Sequence, residues 1–333
     1  MLGLVLAFTA PSMSLADDVV NLYSARKEQL IKPLLDRFSD QTGIKVNLVT
    51  GKADALLQRL QSEGRNTPAD MLITTDAGRL HRAKTAGVTQ AEDSELLKGV
   101  VPESFRDPEG HWYGLSLRAR PILYVKERVD PSRLSTYEAL IDPDWDNRIC
   151  IRSSGNIYNQ SLVASMIAAN GAEATETWTK AFVKQFARPP KGGDRDQIKA
   201  AAAGLCDIAI ANTYYLAGML TSKDQAQRDA AAKLAVFWPN QQGRGAHVNV
   251  SGAALTKAGK NRENAIRLLE FLVNRDSQAW YAEANGEYPV RTDVEPSELL
   301  KGWGDFEVDR LNLAQLGLLN PDAVRLMDRA GWK

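Results

Sequence analysis

Val19-Val20-Asn21-Leu22-Tyr23-Ser24 and Ile44-Lys45-Val46-Asn47-Leu48-Val49 bracket a segment in which Leu30, Ile31, Leu34, Leu35 and Phe38 recur at helical spacing before Gly43. The flanking runs read as strands and the segment between them as an amphipathic helix closed by glycine. The same alternation continues. A helix through Ala53, Leu56, Leu57 and Leu60 leads by a 64–68 loop to the strand Asp70-Met71-Leu72-Ile73-Thr74, and a further helix covers 76–86. Strand and helix alternating three times is the signature of a parallel sheet wound with helices. The expected fold class is therefore α/β, beginning with one doubly wound lobe.

Working outward, His111-Trp112-Tyr113-Gly114-Leu115-Ser116-Leu117-Arg118-Ala119-Arg120-Pro121-Ile122-Leu123-Tyr124-Val125 holds two extended runs separated by a pair of arginines. It reads as a crossover into a second lobe, and His247-Val248-Asn249-Val250-Ser251-Gly252-Ala253-Ala254-Leu255 as the return. At 333 residues the chain exceeds what one core usually holds. The expectation is two doubly wound lobes joined by crossover hinge strands: 17–117 with about 246–283, and 118–245 with about 284–333. Two crossovers make a hinge, suited to closure around a ligand. In the second lobe, 131–143 reads as a connection with a short helix, 161–169 and 173–187 as helices, and Asp194 with Gln197 as a capping-box-like helix start.

The 41 basic and 41 acidic side chains cancel, and neither sign forms a block. Nucleic acid and anionic membranes select for a basic face, so neither is expected as a partner. The apolar run 2–10 is too short to span a bilayer, and with Ser14-Leu15-Ala16 behind it resembles a truncated secretory signal over 1–16, although no Lys or Arg precedes it. Export to the periplasm and no stable membrane insertion are the corresponding expectations. An exported protein can oxidise its only two cysteines, Cys150 and Cys206, which lie on strands feeding Tyr158 and Tyr214. A disulfide between them and two buried thiols are both open readings, since sequence does not give the distance between their Cα atoms.

Enzyme signatures are missing from the chain: no Gly-Lys-Ser/Thr phosphate loop, no Gly-x-Ser-x-Gly elbow, no His-Glu-x-x-His and no Cys-x-x-Cys. His81, His111 and His247 sit at no ligand spacing. What stands out is a set of tyrosines. Leu205-Cys206-Asp207-Ile208-Ala209-Ile210-Ala211-Asn212-Thr213-Tyr214-Tyr215-Leu216 reads as a buried strand delivering two adjacent phenols at its carboxyl end, where open α/β sheets bind ligands. A second strand, 148–152, opens into Ser153-Ser154-Gly155-Asn156-Ile157-Tyr158-Asn159 and a helix N-terminus, a ready anion site. Phenolate is a hard oxygen donor, and a small trivalent cation such as Fe(III) can displace its proton. Arg118 and the 153–159 loop could hold an accompanying anion.

Tyr23-Ser24-Ala25-Arg26, Gly51-Lys52-Ala53-Asp54, Pro68-Ala69-Asp70, Ile151-Arg152-Ser153-Ser154, Tyr158-Asn159-Gln160-Ser161-Leu162, Ala211-Asn212-Thr213-Tyr214-Tyr215 and His247-Val248-Asn249-Val250-Ser251-Gly252 together resemble the periplasmic ferric-ion-binding proteins of ABC importers. The likeness runs from about Asn21 to the Gly331-Trp332-Lys333 end. It implies a type II-like, transferrin-like bilobal binding protein, not an enzyme, working as a monomer that delivers Fe(III) to an ABC transporter permease. It implies Tyr158, Tyr214 and Tyr215 as metal ligands beside a synergistic anion, carbonate or bicarbonate, near Arg118 and Ser154. Many members carry His-Tyr directly after the Tyr-Ser-x-Arg motif, whereas this chain has Lys27-Glu28. The first lobe therefore offers no familiar ligand there, leaving Tyr23, Arg26 and Glu28 as weaker candidates. The alternative is a binding protein for a small anion or other solute held by Arg118, Arg152 and helix N-termini. An enzyme on the same scaffold is a further alternative that no nucleophile–base pair supports.

Overall fold

The computed structural model describes residues 18–333; the signal expected over 1–16 lies outside them. The strands, in chain order, are β1 (Val19–Ser24), β2 (Lys45–Thr50), β3 (Met71–Thr75), β4 (Thr89–Gln90), β5 (Tyr113–Ala119), β6 (Ile122–Val125), β7 (Ile149–Cys150), β8 (Ile208–Ile210), β9 (Leu234–Phe237), β10 (Val248–Thr256) and β11 (Tyr288–Pro289). They form two sheets. The first has the order β11-β5-β10-β3-β1-β2, with β4 paired to β10; the second has the order β7-β8-β6-β9.

The helices are α1 (Lys32–Thr42), α2 (Ala53–Glu63), α3 (Ala77–Thr85), α4 (Glu95–Val100), α5 (Ile157–Asn170), α6 (Ala172–Lys184), α7 (Asp194–Ala202), α8 (Thr213–Leu220), α9 (Gln225–Ala232), α10 (Arg262–Leu272), α11 (Arg275–Asn285), α12 (Glu298–Lys301), α13 (Ala314–Leu318) and α14 (Asn320–Arg329). Leu34, Leu35 and Phe38 are the buried face of α1, as their spacing requires, and Gly43 closes that helix in the left-handed region at φ 74°. Among the described residues no helix is long and apolar enough to cross a membrane.

The β-α-β-α-β start is present, with β1 parallel to both β2 and β3. Both crossovers are where the sequence puts them. β5 belongs to the first sheet and β6, two residues later, to the second, while β10 returns to the first sheet. The return strand is buried along its whole length and runs antiparallel between β3 and β5, so the sheet is mixed. A strand arriving from the other half need not follow the direction set by helical crossovers. β11 pairs with β5 as well, so the first sheet draws on residues beyond 283.

Local differences have local causes. The 131–143 connection holds two short 3-10 turns, Pro131–Arg133 and Glu138–Ile141, and a third, Pro143–Trp145, begins at its end; none extends into an α-helix. Helix α5 starts earlier than the sequence suggests, at Ile157, because Asn156 caps it by accepting from the Tyr158 N–H. At α7 the cap is not Asp194: Gly193 N–H donates to Asp196 Oδ2 at 2.6 Å, and Asp194 turns inward to the buried Arg120 and the partly exposed Arg152. Phe186 lies beyond the end of α6 yet still packs edge-on against Phe182. The C-terminal segment spans both halves. Gly317 of α13 packs so tightly on α3 that a Cβ there would stand 2.2 Å from His81 Cβ, and Asn320 Nδ2 donates to Gln160 Oε1 of α5 at 3.0 Å.

Candidate functional site

The two strands of the second sheet that feed the tyrosines are parallel neighbours, with Ile149 opposite Ile208 and Cys150 opposite Ala209. Side by side, they release their chains toward the same end of the sheet, so α5 and α8 begin next to each other. Tyr158 is the second residue of α5, and Tyr214 and Tyr215 occupy the first turn of α8. The sequence placed these phenols in loops ahead of the helices; they stand in the first helical turns, where the chain direction is already fixed. Cys150 and Cys206 form a disulfide with Cα atoms 5.9 Å apart, tying together the segments that lead to the two helices.

The three phenols meet. Tyr214 Oη donates to Tyr158 Oη at 3.3 Å, and the Tyr214 and Tyr215 ring centroids are 4.2 Å apart. They line a cleft of about 320 Å³ with Arg118, Arg195 and Gly218, faced from the first half by Ala25, Arg26, Lys27, Thr75 and Glu287. The Arg118 guanidinium carbon lies 5.0 Å from the Tyr214 ring centroid and 6.0 Å from that of Tyr158.

Arg118 is 4% exposed, donates from Nη2 to Ser251 Oγ at 2.6 Å, and leaves Nε and Nη1 without a hydrogen-bond partner. Burial works against its charge, but the Glu287 carboxylate and then the three phenols outweigh it and hold the guanidinium firmly protonated. Glu287 is itself buried. Arg26 grips it through Nη1 and Nη2 at 3.1 and 3.2 Å, and Ser116 Oγ donates to it as well. Burial would raise its carboxyl; Arg26 and Arg118 overcome that and hold it below the usual carboxylate range.

The phenols are not equivalent. Burial raises all three, but for Tyr158 the Arg118 charge and the hydrogen bond from Tyr214 win, so its phenol ionises below the ordinary value. Tyr214 is raised well above that value by burial and by the neighbouring Tyr158, and Tyr215 is pushed up to about 12 by burial, Tyr158 and Asp194. The surroundings thus favour ionisation at Tyr158 and oppose it at Tyr214 and Tyr215. Among the described residues no group of three or more His, Cys, Asp and Glu side chains is placed to hold a metal ion.

The weaker sequence candidates scatter. Arg26 reaches the cleft through its pairing with Glu287. Tyr23 is buried on β1 and donates to Glu63 at 2.9 Å, packed with Leu56 and Leu60. Glu28 and Ser154 are not among the cleft-lining residues, and the Ser154 carbonyl accepts from Gln160 Nε2 at 2.9 Å. Sequence reading missed Thr75, Arg195 and Glu287. Thr75 ends β3, and the strand-end rule that singled out Tyr214 would have found it. Glu287 carries no such signal, because β11 is only two residues long.

The comparisons agree with this geometry. The model of the family described as bacterial extracellular solute-binding protein matches residues 66–302. Iron uptake protein A1 of Synechocystis is 49% identical over 314 residues, covering 94% of this chain and 87% of its own. Among solved structures, Trichodesmium FutA (IdiA) in complex with iron and citrate ligands superposes with a TM-score of 0.93 at 49% identity, covering 95% of this chain and 100% of its own. The ferric binding protein from Campylobacter jejuni does so with a TM-score of 0.89 at 36% identity, covering 94% of this chain and 100% of its own. A type II-like bilobal architecture, a cleft between its halves and a family match across most of its length together show that this chain belongs to the bacterial extracellular solute-binding proteins, which bind and hand on solutes rather than transform them.

Proposed function

We propose that this protein is a periplasmic Fe(III)-binding protein that captures ferric iron between its halves and delivers it to the permease of an ABC importer. The observation that carries this reading is that Tyr158, Tyr214 and Tyr215 line one cleft together beside a buried arginine with an unpartnered Nη1. Three phenolates neutralise a trivalent cation, and the unpartnered Nη1 of Arg118 suits a synergistic anion such as carbonate on the remaining coordination positions. The first half contributes charge rather than ligands: Lys27 lines the cleft where many family members carry a ligand pair. Relatives named for iron uptake and ferric binding support the same reading.

Because metal and protons compete for the phenol oxygens, iron affinity rises with pH and falls on acidification. The test is direct. The protein should turn coloured on addition of chelated Fe(III), through phenolate-to-iron charge transfer, and Tyr214→Phe or Tyr215→Phe should weaken both colour and retention. A protein that stays colourless and instead retains a small anion such as phosphate would replace this reading with the anion-binding one, which the unpartnered Nη1 of Arg118 also favours.

A further inference from the structure

The two strands that feed the phenols are too short to aim them. β7 has two residues and β8 three, so the ladder between them fixes little of the 151–156 and 211–212 segments that follow. Three oxygen donors from two segments must nevertheless reach one point within a few tenths of an ångström. A buried polar cluster next to those segments supplies what the ladder does not.

Its centre is Asp194, which is 0% exposed, and Arg120, which is 1% exposed. Asp194 Oδ1 accepts from Arg120 Nη1 at 3.0 Å and from the Asn212 backbone N–H at 3.3 Å, while Oδ2 accepts from Arg152 Nη1 at 2.7 Å. Arg120 Nη1 also donates to Asn212 Oδ1 at 2.9 Å, and Nη2 donates to Asn159 Oδ1 at 2.6 Å and to the Ile210 carbonyl at 3.2 Å. Asn159, 0% exposed, then closes its own segment by donating to the Arg152 and Ser153 carbonyls at 2.8 and 3.1 Å. Asn159 adjoins Tyr158, and Asn212 stands two residues before Tyr214. Among the described residues every side-chain hydrogen bond of Arg120 and Asp194 goes to the chain leading to or flanking these tyrosines or between the two groups, and none to Tyr158, Tyr214 or Tyr215.

We propose that Asp194 and Arg120 are positioning residues that lock the Tyr158 segment to the Tyr214–Tyr215 segment and so preset the three-phenol geometry before metal arrives. The inference rests on the ferric reading above. The planar guanidinium fork is what lets one side chain hold acceptors from both segments; a lysine ammonium is a point charge on a flexible stem and does not match that pattern. The carboxylate offers two acceptor oxygens to two arginines, whereas an asparagine offers one oxygen and turns an N–H₂ toward a guanidinium. A residue serving only the stability of the fold would change unfolding and leave the ligand field alone.

The experiment compares wild type, Asp194→Asn, Arg120→Lys and Asn159→Ser, each checked for folding by circular dichroism and loaded with Fe(III) as its nitrilotriacetate chelate. The readouts are the position of the phenolate-to-iron charge-transfer band and the rate of iron transfer to a competing chelator. The expected result is a displaced band and transfer faster by about tenfold or more, the weight of one charge-assisted hydrogen bond. Folded variants with the wild-type band and rate would overturn the positioning role while leaving the ferric reading intact. A wild-type protein that never colours would overturn the ferric reading and this inference with it. Should Asp194→Asn fail to fold, Asn159→Ser, which removes one acceptor at the Tyr158 segment, decides by the same two readouts.

Discussion

At the scale of the residue, the cleft is governed by charges that burial forces to pair. Glu287 is the acid that keeps Arg26 and Arg118 tolerable in a dry interior, and removing one partner of a buried pair leaves the other uncompensated. Glu287→Gln keeps the size and strands two guanidinium groups. It should lower unfolding free energy by about 3 kcal/mol at neutral pH, measured by urea denaturation. The pH dependence has a definite sign. Because Arg26 and Arg118 hold this carboxyl below its ordinary range near ~4.3, its stabilisation is present above that value and is lost as pH falls through the lower folded-state value. The glutamine variant has nothing to titrate there, so the gap between the two proteins should close on acidification. A gap that stayed constant down to strongly acidic pH would show that Glu287 acts by packing alone.

At the scale of the element, the second sheet combines short strands with covalent and polar cross-links. The Cys150–Cys206 disulfide closes a loop with a sequence separation of 56 beside the two tyrosine-bearing helices. Constraining the unfolded chain over such a loop is worth about 2–4 kcal/mol. A Cys150→Ser/Cys206→Ser double variant should therefore unfold at correspondingly lower denaturant, and thiol titration of the unfolded exported wild type should find no free thiol. Two reactive thiols would remove the staple from the account. Helix α5 depends on its cap in the same local way. Asn156→Ala should cost about 1 kcal/mol and fray the very turn that carries Tyr158, so its effect on iron retention should exceed that of a cap lost at an exposed helix such as α9.

At the scale of the whole molecule, the halves meet through a contact that sequence does not announce. Asp76, at the end of β3, adopts φ 83°, uncommon for a residue with a side chain, and is almost fully buried. Its Oδ1 caps α3 through the Gly78 N–H at 2.9 Å and accepts from Ser161 Oγ of α5 at 2.7 Å, joining the two halves beside Tyr158. Ser161→Ala removes that link. The expected outcome is a larger radius of gyration of the iron-free protein in small-angle scattering, reversed by iron; an unchanged radius would mean the halves are held elsewhere, with the 314–320 strap the first place to look. By itself the amino-acid sequence determined the α/β class, the two crossovers and the tyrosines as the chemistry of interest, because periodicity, chain direction and residue type are local properties. Only the tertiary structure decided that Tyr158 meets Tyr214, that Glu287 and Thr75 face them, and that Arg118 and Arg120, two residues apart, serve different halves. Those facts depend on separations of up to 261 residues, as between Arg26 and Glu287. Such pairings are chosen by burial, which obliges every charge taken out of water to find its partner wherever the folded chain puts one.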